Sequence, residues 1–517
     1  MTDTANPYDT YTSPLAARNA SPEMLRLWSP RHKFNTWRRI WLAVAEAQHE
    51  LGLPVSKEQV EELRAVVERG ITDEEMHAAE KYERDLRHDV MAHVHALGDS
   101  CPKARPIIHL GMTSQDVVCN ADLLTLSESL ALLEIKVARV TLAMGEQSVA
   151  HLKVPTLGFT HYQPAQPVTV GRRAAGWTSE LNQCMIAIEI QAAGLEFKGL
   201  RGATGTQASF LELCGGDHDR VDRLEEAVLD RLIPDDRWTW PSMVEHESKR
   251  SLERVGRAMD LVGQTYPRVH DARVLADLAS TAAVLHKIAT DIRLLSNRKE
   301  IDEPFESKQI GSSAMPYKRN PMRCERICGL TRFVMNLVGN AYDTAATQWL
   351  ERTLDDSSNR RLSLPEAFLA LDGALDLMHN VASGLVVHEA TVRKNLMAEL
   401  PFMATENILM ACVKLGADRQ DYHERIRQHA QEAGMRVKQE GLDNDLLDRL
   451  RADPAFKSKA DGGMLSADLD WEGVMDPMNY IGRSVEQTER FIKDVVEPLR
   501  EQYAEAIGKL GESGPRV

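Results

Sequence analysis

The sequence lacks the features that mark secreted and membrane proteins. Its 517 residues include only seven cysteines, thinly spread and without a CxxC pair. Such an odd and scattered set favours reduced thiols and a cytosolic setting over a disulfide framework. No uninterrupted apolar run approaches the ~20 residues that a membrane helix needs. Residues 1–19 contain no apolar core, so we expect no signal peptide.

An excess of positive charge is also absent. The formal net charge is −15 at pH 7, which argues against general nucleic-acid binding and makes local basic clusters stand out as sites for small anions. Neither HExxH nor GK[ST] occurs, so the signatures of a zinc protease and a P-loop are missing. His88, His93 and His95 are close in sequence, but His88 and His95 would lie about 10 Å apart on a helix. We therefore predict no metal site.

Period-two runs rich in β-branched residues are scarce, and helical periodicity dominates instead. The clearest apolar stripe consists of Phe368, Leu371, Leu375, Met378, Val381 and Leu385. Ser363 and Glu366, with Pro365 in the first turn, predict that this helix begins near Ser363. Residues 121–150 and 243–262 indicate two more helices. We therefore predict an all-α fold with long central helices.

The chain is longer than the usual single hydrophobic core, so two or three domains are expected. We place an N-terminal helical domain at 1–112, a central long-helix bundle at 113–387 and a C-terminal helical domain at 388–517. Residues 232–246 interrupt the helical pattern. We interpret them as an inserted loop or a lid anchored by Trp238 and Trp240.

The stretch GSSAMPYKRNPMRCER, residues 311–326, concentrates positive charge in an acidic protein. It holds four cations and one acid, Glu325, and its glycine, serines and prolines predict a mobile loop that runs into a helix. In TLGFTHYQPAQ, Pro164 disfavours helix at Gln163, so His161 lies on an irregular segment or at the end of an element. An imidazole there can enter a cleft and move protons near neutral pH, although a purely structural histidine also fits.

Two further segments could bind an anion. ERTLDDSSNRRLSLPEAF places Arg352, Ser357 and Arg361 close in sequence, and two guanidiniums with a hydroxyl make a good phosphate clamp. If the helix begins near Ser363, both arginines lie on the preceding loop and can converge. The alternative is a salt-bridged surface loop. RGATGTQASF, residues 201–210, offers a glycine-rich turn whose amides could hold an anion, but alone this is a weak signal.

Taken in order, these motifs resemble one family. GSSAMPYKRNP resembles the signature loop of the fumarase/aspartase superfamily. SPLAARNASPEM, RHDVMAHVH, GFTHYQPAQ, GTQASF, ERTLDDSSNRR and LPFMATENI resemble the adenylosuccinate lyase family, in particular its animal-type branch. The resemblance runs from about Tyr11 to Val495, with an excess at 233–257. It implies a three-domain, nearly all-helical subunit whose long helices form the core of a homotetramer, with active sites built from loops of three subunits.

The resemblance also implies a reaction. The family eliminates fumarate from adenylosuccinate to give AMP, and from the succinyl-carboxamide ribotide of purine synthesis (SAICAR) to give AICAR, with no metal or organic cofactor. Such a substrate carries a phosphate and two carboxylates, so an acidic protein needs local basic pockets. Cations and amides aimed at the carbanion's carboxylate should give the largest stabilisation of the transition state.

Catalytic roles follow from the resemblance, residue by residue. Ser312 is the base that removes the Cβ proton, with Ser313 as an alternative, and Lys318 stabilises the negative charge that develops. His161 protonates the leaving nitrogen, and Glu325 orients that imidazole.

The resemblance also implies which residues hold the substrate. His88 resembles the second active-site histidine, which binds substrate rather than transferring the key proton. The other matched positions, expected to bind substrate, are Arg18, Asn19, Arg87, Asp89, Thr113, Ser114, Thr160, Gln264, Asn320, Arg326, Arg352, Ser357 and Arg361. Asn19 departs from the family, which usually has tyrosine there, so a ring that could pack near the nucleotide is missing.

Two other interpretations can be weighed against this one. Another fumarate-releasing lyase, acting on argininosuccinate, aspartate or malate, would have no phosphate to bind, whereas Arg18, Arg352, Ser357 and Arg361 favour a nucleotide. A non-catalytic helical scaffold would be expected to have lost the base, the acid or the loop cation, and all three residue types are present.

Overall fold

Well-capped helices form the N-terminal part of the protein. The computed structural model describes residues 9–232, 257–306 and 308–510. The first helices are α1 (Pro22–Leu27), α2 (Pro30–Glu50), α3 (Lys57–Arg69), α4 (Asp73–Leu86) and α5 (Asp89–Ser100). Ser56 with Gln59, and Thr72 with Glu75, form capping boxes at the starts of α3 and α4. These reciprocal bonds satisfy backbone groups that a helix start leaves unpaired.

Long helices dominate the central part, as the periodicity predicted. In chain order the elements are α6 (Ser114–Ala150), β1 (Pro155–Thr160), β2 (Gln163–Thr169), α7 (Val170–Ala193), α8 (Ala208–Leu213), α9 (His218–Leu232), α10 (Val269–Asn297), β3 (Ile301–Asp302), α11 (Met322–Ala346), α12 (Asp355–Ser383) and β4 (Val386–Val387). The strands form two small antiparallel pairs, β1 with β2 and β3 with β4. The all-α prediction is confirmed.

The long helices alternate in direction, so the bundle has two distinct ends. At the proximal end, Arg268, just before α10, pairs with Asp356 in the first turn of α12 at 2.7 Å. At the distal end, the amide of Gly171 in α7 donates to the carbonyl of His151 at 2.9 Å. Helix α6 alone contains 37 residues, so the two ends are about 55 Å apart at 1.5 Å per residue.

The C-terminal part is a second, shorter set of helices. They are α13 (Glu389–Met403), α14 (Thr405–Lys414), α15 (Arg419–Met435), α16 (Leu446–Ala452), α17 (Trp471–Val474), α18 (Ser484–Phe491) and α19 (Glu497–Lys509). Of the helices described, none alone is long and apolar enough to cross a membrane; only the bent pair α13–α14, counted together, passes by length and composition.

Three clusters of buried apolar side chains hold these parts together. The largest lies along the central bundle and includes Leu499 and Tyr503 of α19, so the end of the described chain packs back onto the bundle. A second cluster joins α2 and α5 to Phe210 and Leu224 of α8 and α9. The third lies among α13–α17. The boundaries at 112 and 387 remain predictions.

Two local predictions were wrong. Helix α12 begins at Asp355 rather than near Ser363, and Pro365 lies inside it. The Ser363 hydroxyl donates to the Asn359 carbonyl at 3.0 Å and caps no helix start. A proline inside a helix costs about 3 kcal/mol, which burial of α12 in the core offsets, so proline alone was a poor boundary signal.

The second wrong prediction is the helix at 243–262. Its described part, residues 257–262, is not helical; Ala258 instead forms an isolated bridge with Phe197. The remainder, together with Trp238, Trp240 and the interpretation of 232–246 as an insertion or lid, lies outside the described residues except for Leu232, which ends α9.

The bundle contains a buried polar cluster in which the protonation of Glu134 changes with pH. Glu134 of α6 is fully buried, and its carboxylate accepts a hydrogen bond from the Tyr503 hydroxyl of α19. Burial raises the pKa of Glu134 to about 8; the nearby Glu189 adds to the shift and the Tyr503 hydrogen bond opposes it. Glu134 is therefore protonated in the folded protein at neutral pH.

This cluster predicts how stability changes with pH. In the unfolded chain Glu134 ionises near pH 4.5, while in the folded protein it keeps its proton up to about pH 8. Folding therefore binds a proton across this window, and this residue's contribution to the free energy of unfolding should fall as pH rises, by at most about 1.4 kcal/mol per pH unit.

Urea unfolding of Glu134→Gln and wild type across that window tests the prediction. The variant should become progressively more stable relative to wild type as pH rises. Glu146→Gln, which removes an exposed carboxylate from the same helix, is the control and should show no such trend. A difference between Glu134→Gln and wild type that does not change with pH would contradict the assignment.

Candidate active site

A cavity of about 800 Å³ lies at the proximal end, between the N-terminal helices and the starts of α6, α10 and α12. Half of the predicted site residues line it: Arg87, His88, Asp89, Thr113, Ser114, Gln264, Arg352, Ser357 and Arg361. They come from separate segments of the chain, and the fold brings them together.

His88 is held at the junction of two helices. Arg87 ends α4 in the left-handed region, with φ 54°, and His88 is extended and caps α5. The His88 Nδ1 accepts the Met91 amide at 3.3 Å. The proton of the neutral ring therefore resides on Nε2, which lies 3.5 Å from the Ser114 hydroxyl. The ring thus presents a donor to the cavity edge.

Buried Asp116 fixes the start of α6. Its carboxylate accepts the Thr113 amide at 2.8 Å and pairs with the fully buried Lys198. It also accepts the amides of Arg201 and Gly202, at 2.9 and 3.1 Å. Those two amides of the glycine-rich turn are therefore engaged by Asp116 rather than free for an external anion; anion binding by the rest of the RGATGTQASF turn stays a prediction. The effect is to hold Thr113 at the cavity wall.

Arg352 and Arg361 converge as predicted, but for a different structural reason. Arg352 lies on the loop before α12, and Arg361 lies on the second turn of that helix, yet both line the cavity because it opens at the helix start. The Arg361 guanidinium pairs with Asp89 at 2.8 Å. Arg352 donates to the Gln264 side chain at 3.1 Å. Gln264, matched only by resemblance, thus orients a cavity cation.

His161 lies far from this cavity, at the tip of the β1–β2 hairpin. Thr160 pairs with Gln163 across the turn, and both His161 and Tyr162 have positive φ, 53° and 57°. This is the pattern of a two-residue hairpin turn. The His161 ring is exposed and makes no hydrogen bond within the described part of the chain. The prediction that His161 lies on an irregular segment or at the end of an element is confirmed, because it occupies the turn between β1 and β2, at the distal end.

The loop 311–321 is also at the distal end, before α11. Glu303 accepts the amides of Arg323 and Cys324, each at 3.0 Å, and so caps α11. The Asn320 amide donates to the Gly311 carbonyl at 2.8 Å, which closes the loop on itself. The prediction of a loop running into a helix is confirmed.

Inside the closed loop, the Ser312 hydroxyl oxygen accepts the amides of Met315 and Ala314, at 3.1 and 3.4 Å. Lys318 is exposed. The Glu325 carboxylate faces Arg293 at 4.0 Å. The loop therefore presents a hydroxyl and an exposed ammonium, and the carboxylate of Glu325 follows in the first turn of α11.

The remaining predicted residues do not line the cavity either. Burial and the neighbouring guanidinium of Arg18 lower the pKa of Arg326, which places Arg18 beside the first turn of α11. The Asn19 side chain donates to the Pro14 carbonyl at 2.9 Å. One chain thus holds half of the predicted site at the cavity, whereas the His161 hairpin, loop 311–321 and the start of α11 lie at the opposite end. Asn19 packs between the ends, against Gly373 inside α12.

Several residues that line the cavity were not among the predicted site residues. They are Lys33, Asp122, Arg268, Asp356 and Arg360. The Arg360 guanidinium pairs with Asp271 at 2.6 Å and Asp122 at 2.9 Å. Such pairs join residues more than eighty positions apart, so no local pattern could have revealed them. Among the described residues, no group of three or more His, Cys, Asp and Glu side chains could hold a metal ion.

Comparison with solved structures defines the class of protein. 3-Carboxy-cis,cis-muconate lactonizing enzyme from Pseudomonas putida has a TM-score of 0.73 at 23% identity, over 93% of this chain and 98% of that one. Fumarate lyase from Mesorhizobium sp. BNC1 has a TM-score of 0.71 at 22% identity, over 94% and 99%. The chain therefore has the same fold as these two enzymes.

Sequence comparison identifies the family within that class. A family model described as lyase matches residues 16–210 and 246–336, and one described as adenylosuccinate lyase C-terminus matches 401–491. Adenylosuccinate lyase of Schizosaccharomyces pombe is 47% identical over 95% of this chain and 96% of its own length. That of Saccharomyces cerevisiae is 45% identical over 95% and 96%. The chain belongs to the adenylosuccinate lyase family.

The closed loop predicts a specific role for Gly311. A Cβ atom at this position would lie 2.1 Å from the Lys318 carbonyl oxygen, so Gly311→Ala should force the loop open. Trypsin should then cut after Lys318 or Arg319 several-fold faster than in wild type. Gly329→Ala is the control, because nothing lies within 4 Å of a Cβ there. Equal cleavage rates in Gly311→Ala and wild type would show that the closed loop does not depend on the glycine.

Proposed function

We propose that this enzyme eliminates fumarate from adenylosuccinate to give AMP, and from SAICAR to give AICAR, in purine biosynthesis. The observation that carries the proposal is the pairing of a cation-rich cavity at one end of the bundle with a hydroxyl, an ammonium and an imidazole at the other. Similarity to the adenylosuccinate lyases of Schizosaccharomyces pombe and Saccharomyces cerevisiae, at 47% and 45% identity, supports the same reaction.

The cavity suits a nucleotide. Arg352 and Arg361, with the hydroxyl of Ser357 between them in sequence, can surround a phosphate, since guanidiniums bind it through paired N–H donors. Thr113 and Ser114 offer hydroxyls for a carboxylate of the succinyl group. His88, with Nε2–H directed to the same edge, binds substrate rather than transferring the key proton.

Loop 311–321 supplies the chemistry of proton removal. We assign the base to Ser312 rather than Ser313, because two loop amides already donate to the Ser312 oxygen and would stabilise its alkoxide. The alkoxide removes the Cβ proton, and the resulting carbanion delocalises onto the adjacent carboxylate. Lys318 neutralises that charge, while Asn320 keeps the loop closed.

His161 completes the elimination. Its imidazolium donates a proton to the substrate nitrogen as the C–N bond breaks, and Glu325 holds the ring in position. Removal of the Cβ proton, stabilisation of the carbanion and protonation of the leaving nitrogen are thus each assigned to a side chain of this protein, and no cofactor is given a role. Because all seven cysteines are free thiols, we place the enzyme in the cytoplasm.

The two halves of the site can meet only between subunits. The proximal and distal ends of one bundle are about 55 Å apart, far beyond the span of one nucleotide. Packing bundles antiparallel would place the distal loops of one subunit over another's cavity. Apolar side chains exposed on the bundle support such packing: Ile190, Leu294, Phe333, Tyr342 and Leu362. We propose a homotetramer in which each site combines the cavity, the hairpin and the loop of three subunits.

Two single substitutions test the chemistry. Wild type should convert adenylosuccinate, measured as the change in its ultraviolet absorbance, with AMP and fumarate as products. His161→Ala should keep the assembly and lose roughly 10²–10⁴-fold in turnover, the usual contribution of a general acid. Ser312→Ala should bind substrate and leave it unreacted. Near-normal turnover by either purified variant would remove that residue from its proposed role.

Mixing two inactive variants tests the shared site. Co-assembly of His88→Ala with His161→Ala should restore up to about a quarter of wild-type turnover, because random assortment makes some sites from two intact contributions. Mixtures of His88→Ala with Arg352→Ala are the matched control, since both residues belong to one cavity, and should restore nothing. No recovery in the first mixture, with mixed assemblies verified, would mean that each site belongs to one subunit.

A further inference from the structure

Lys33 lies on the first turn of α2 and lines the cavity. No sequence motif pointed to it. Its ammonium lies 4.9 Å from the centre of the Trp37 ring and 5.3 Å from that of Phe34, so the two aromatic side chains hold the lysine stem against the cavity wall. The side chain is half-buried, and burial lowers the pKa of Lys33, opposed by the carboxylate of Asp122.

Cations outnumber acids in the cavity lining. The cations are Lys33, Arg87, Arg268, Arg352, Arg360 and Arg361, and the acids are Glu83, Asp89, Asp122 and Asp356. The lining therefore carries a surplus of two positive charges with neutral histidine, six minus four. A phosphate monoester near neutral pH carries close to two negative charges.

Four of these cations, all arginines, share three of the lining carboxylates, so one surplus charge belongs to these arginines and the other to Lys33 and Arg87 with Glu83. Arg361 pairs with Asp89 at 2.8 Å, and Arg360 with Asp122 at 2.9 Å. Arg268 and Arg352 share Asp356, at 2.7 and 3.9 Å.

Lys33 and Arg87 differ from these four arginines. Within the described residues, neither has a carboxylate within 4.0 Å or a side-chain hydrogen bond. Arg87 is exposed, whereas Lys33 is half-buried on the wall, beside the paired Asp89 and Arg361. Carboxylates of Asp122, Asp89 and Glu83 act on Lys33 without contacting it, so a half-buried ammonium here still gains from an anion that enters the cavity and contacts it directly.

We propose that Lys33 binds the phosphate group of the nucleotide, on the side of the cavity formed by Arg361 and Ser357. This rests on the proposed function, because it names a contact for that substrate. The phosphate is favoured over the succinyl carboxylates because Lys33 and Arg361 line the same cavity, and the guanidinium of Arg361 acts on Lys33 strongly enough to lower its pKa. The hydroxyls suited to a carboxylate are instead at the start of α6, and Ser114 faces His88.

Product inhibition separates the two anions. AMP carries the phosphate without the succinyl carboxylates, and fumarate carries carboxylates without phosphate. Lys33→Met should weaken inhibition by AMP roughly tenfold or more, the usual effect of losing a charge-assisted hydrogen bond. It should leave inhibition by fumarate unchanged. Lys33→Arg should keep most of the AMP affinity.

Direct binding provides a readout that does not need turnover. Trp37 packs against Lys33, so its fluorescence should report titration with AMP, and Lys33→Met should shift that titration by the same factor. Adenosine, which lacks phosphate, should bind wild type and Lys33→Met equally. Lys57→Met, an exposed lysine paired with Glu61 on α3, is the control and should match wild type.

The possible failures are distinguishable. If wild type does not convert adenylosuccinate, the proposed function falls. If wild type does convert it, two results would contradict the assignment of Lys33. Folded Lys33→Met would bind AMP as tightly as wild type, or it would lose affinity for fumarate and AMP equally. Lys33→Gln carries the same test should Lys33→Met fail to fold.

Discussion

The length of rigid helices is the constraint on which the site depends. Helix α6 carries Thr113 and Ser114 at its start and leads into the His161 hairpin at its end, and 37 residues separate these features by about 55 Å. No loop motion within one chain could close that distance. If the two ends serve one small molecule, as we propose, neighbouring chains must run in opposite directions, and catalysis then depends on assembly.

Hydrogen bonds and ion pairs of buried polar groups fix the local structure at each end of the bundle. Asp116 joins α6 to Lys198 and the glycine-rich turn, and Glu303 caps α11 beneath loop 311–321. Between the ends, Lys136 pairs with Asp372 at 2.5 Å and Asp376 at 2.9 Å. Removing one partner from such a buried pair is costly because the other is left uncompensated. These interactions explain how functional side chains on short connections hold fixed positions.

Sequence patterns predicted which secondary-structure elements form better than where those elements begin or which distant residues pair with each other. The helix through 121–150 and the irregular position of His161 could be predicted because periodicity and proline act locally. The start of α12 could not, since core packing outweighs the signal of Pro365. The role of Lys33 could not be predicted from the sequence either, because it depends on which distant cations already have carboxylate partners. Motif resemblance supplied the site residues, but only the fold divides them between two ends.

A structure of the assembled enzyme with AMP and fumarate bound would test the central claim most directly. The quantity to measure is the distance from His161 of one subunit to the partner subunit's His88. We expect at least one such pair to lie within the span of a single bound nucleotide, with the phosphate at the cavity wall. If every His161 in the assembly remains a helix length from every His88, the two ends do not form one site and the account is wrong.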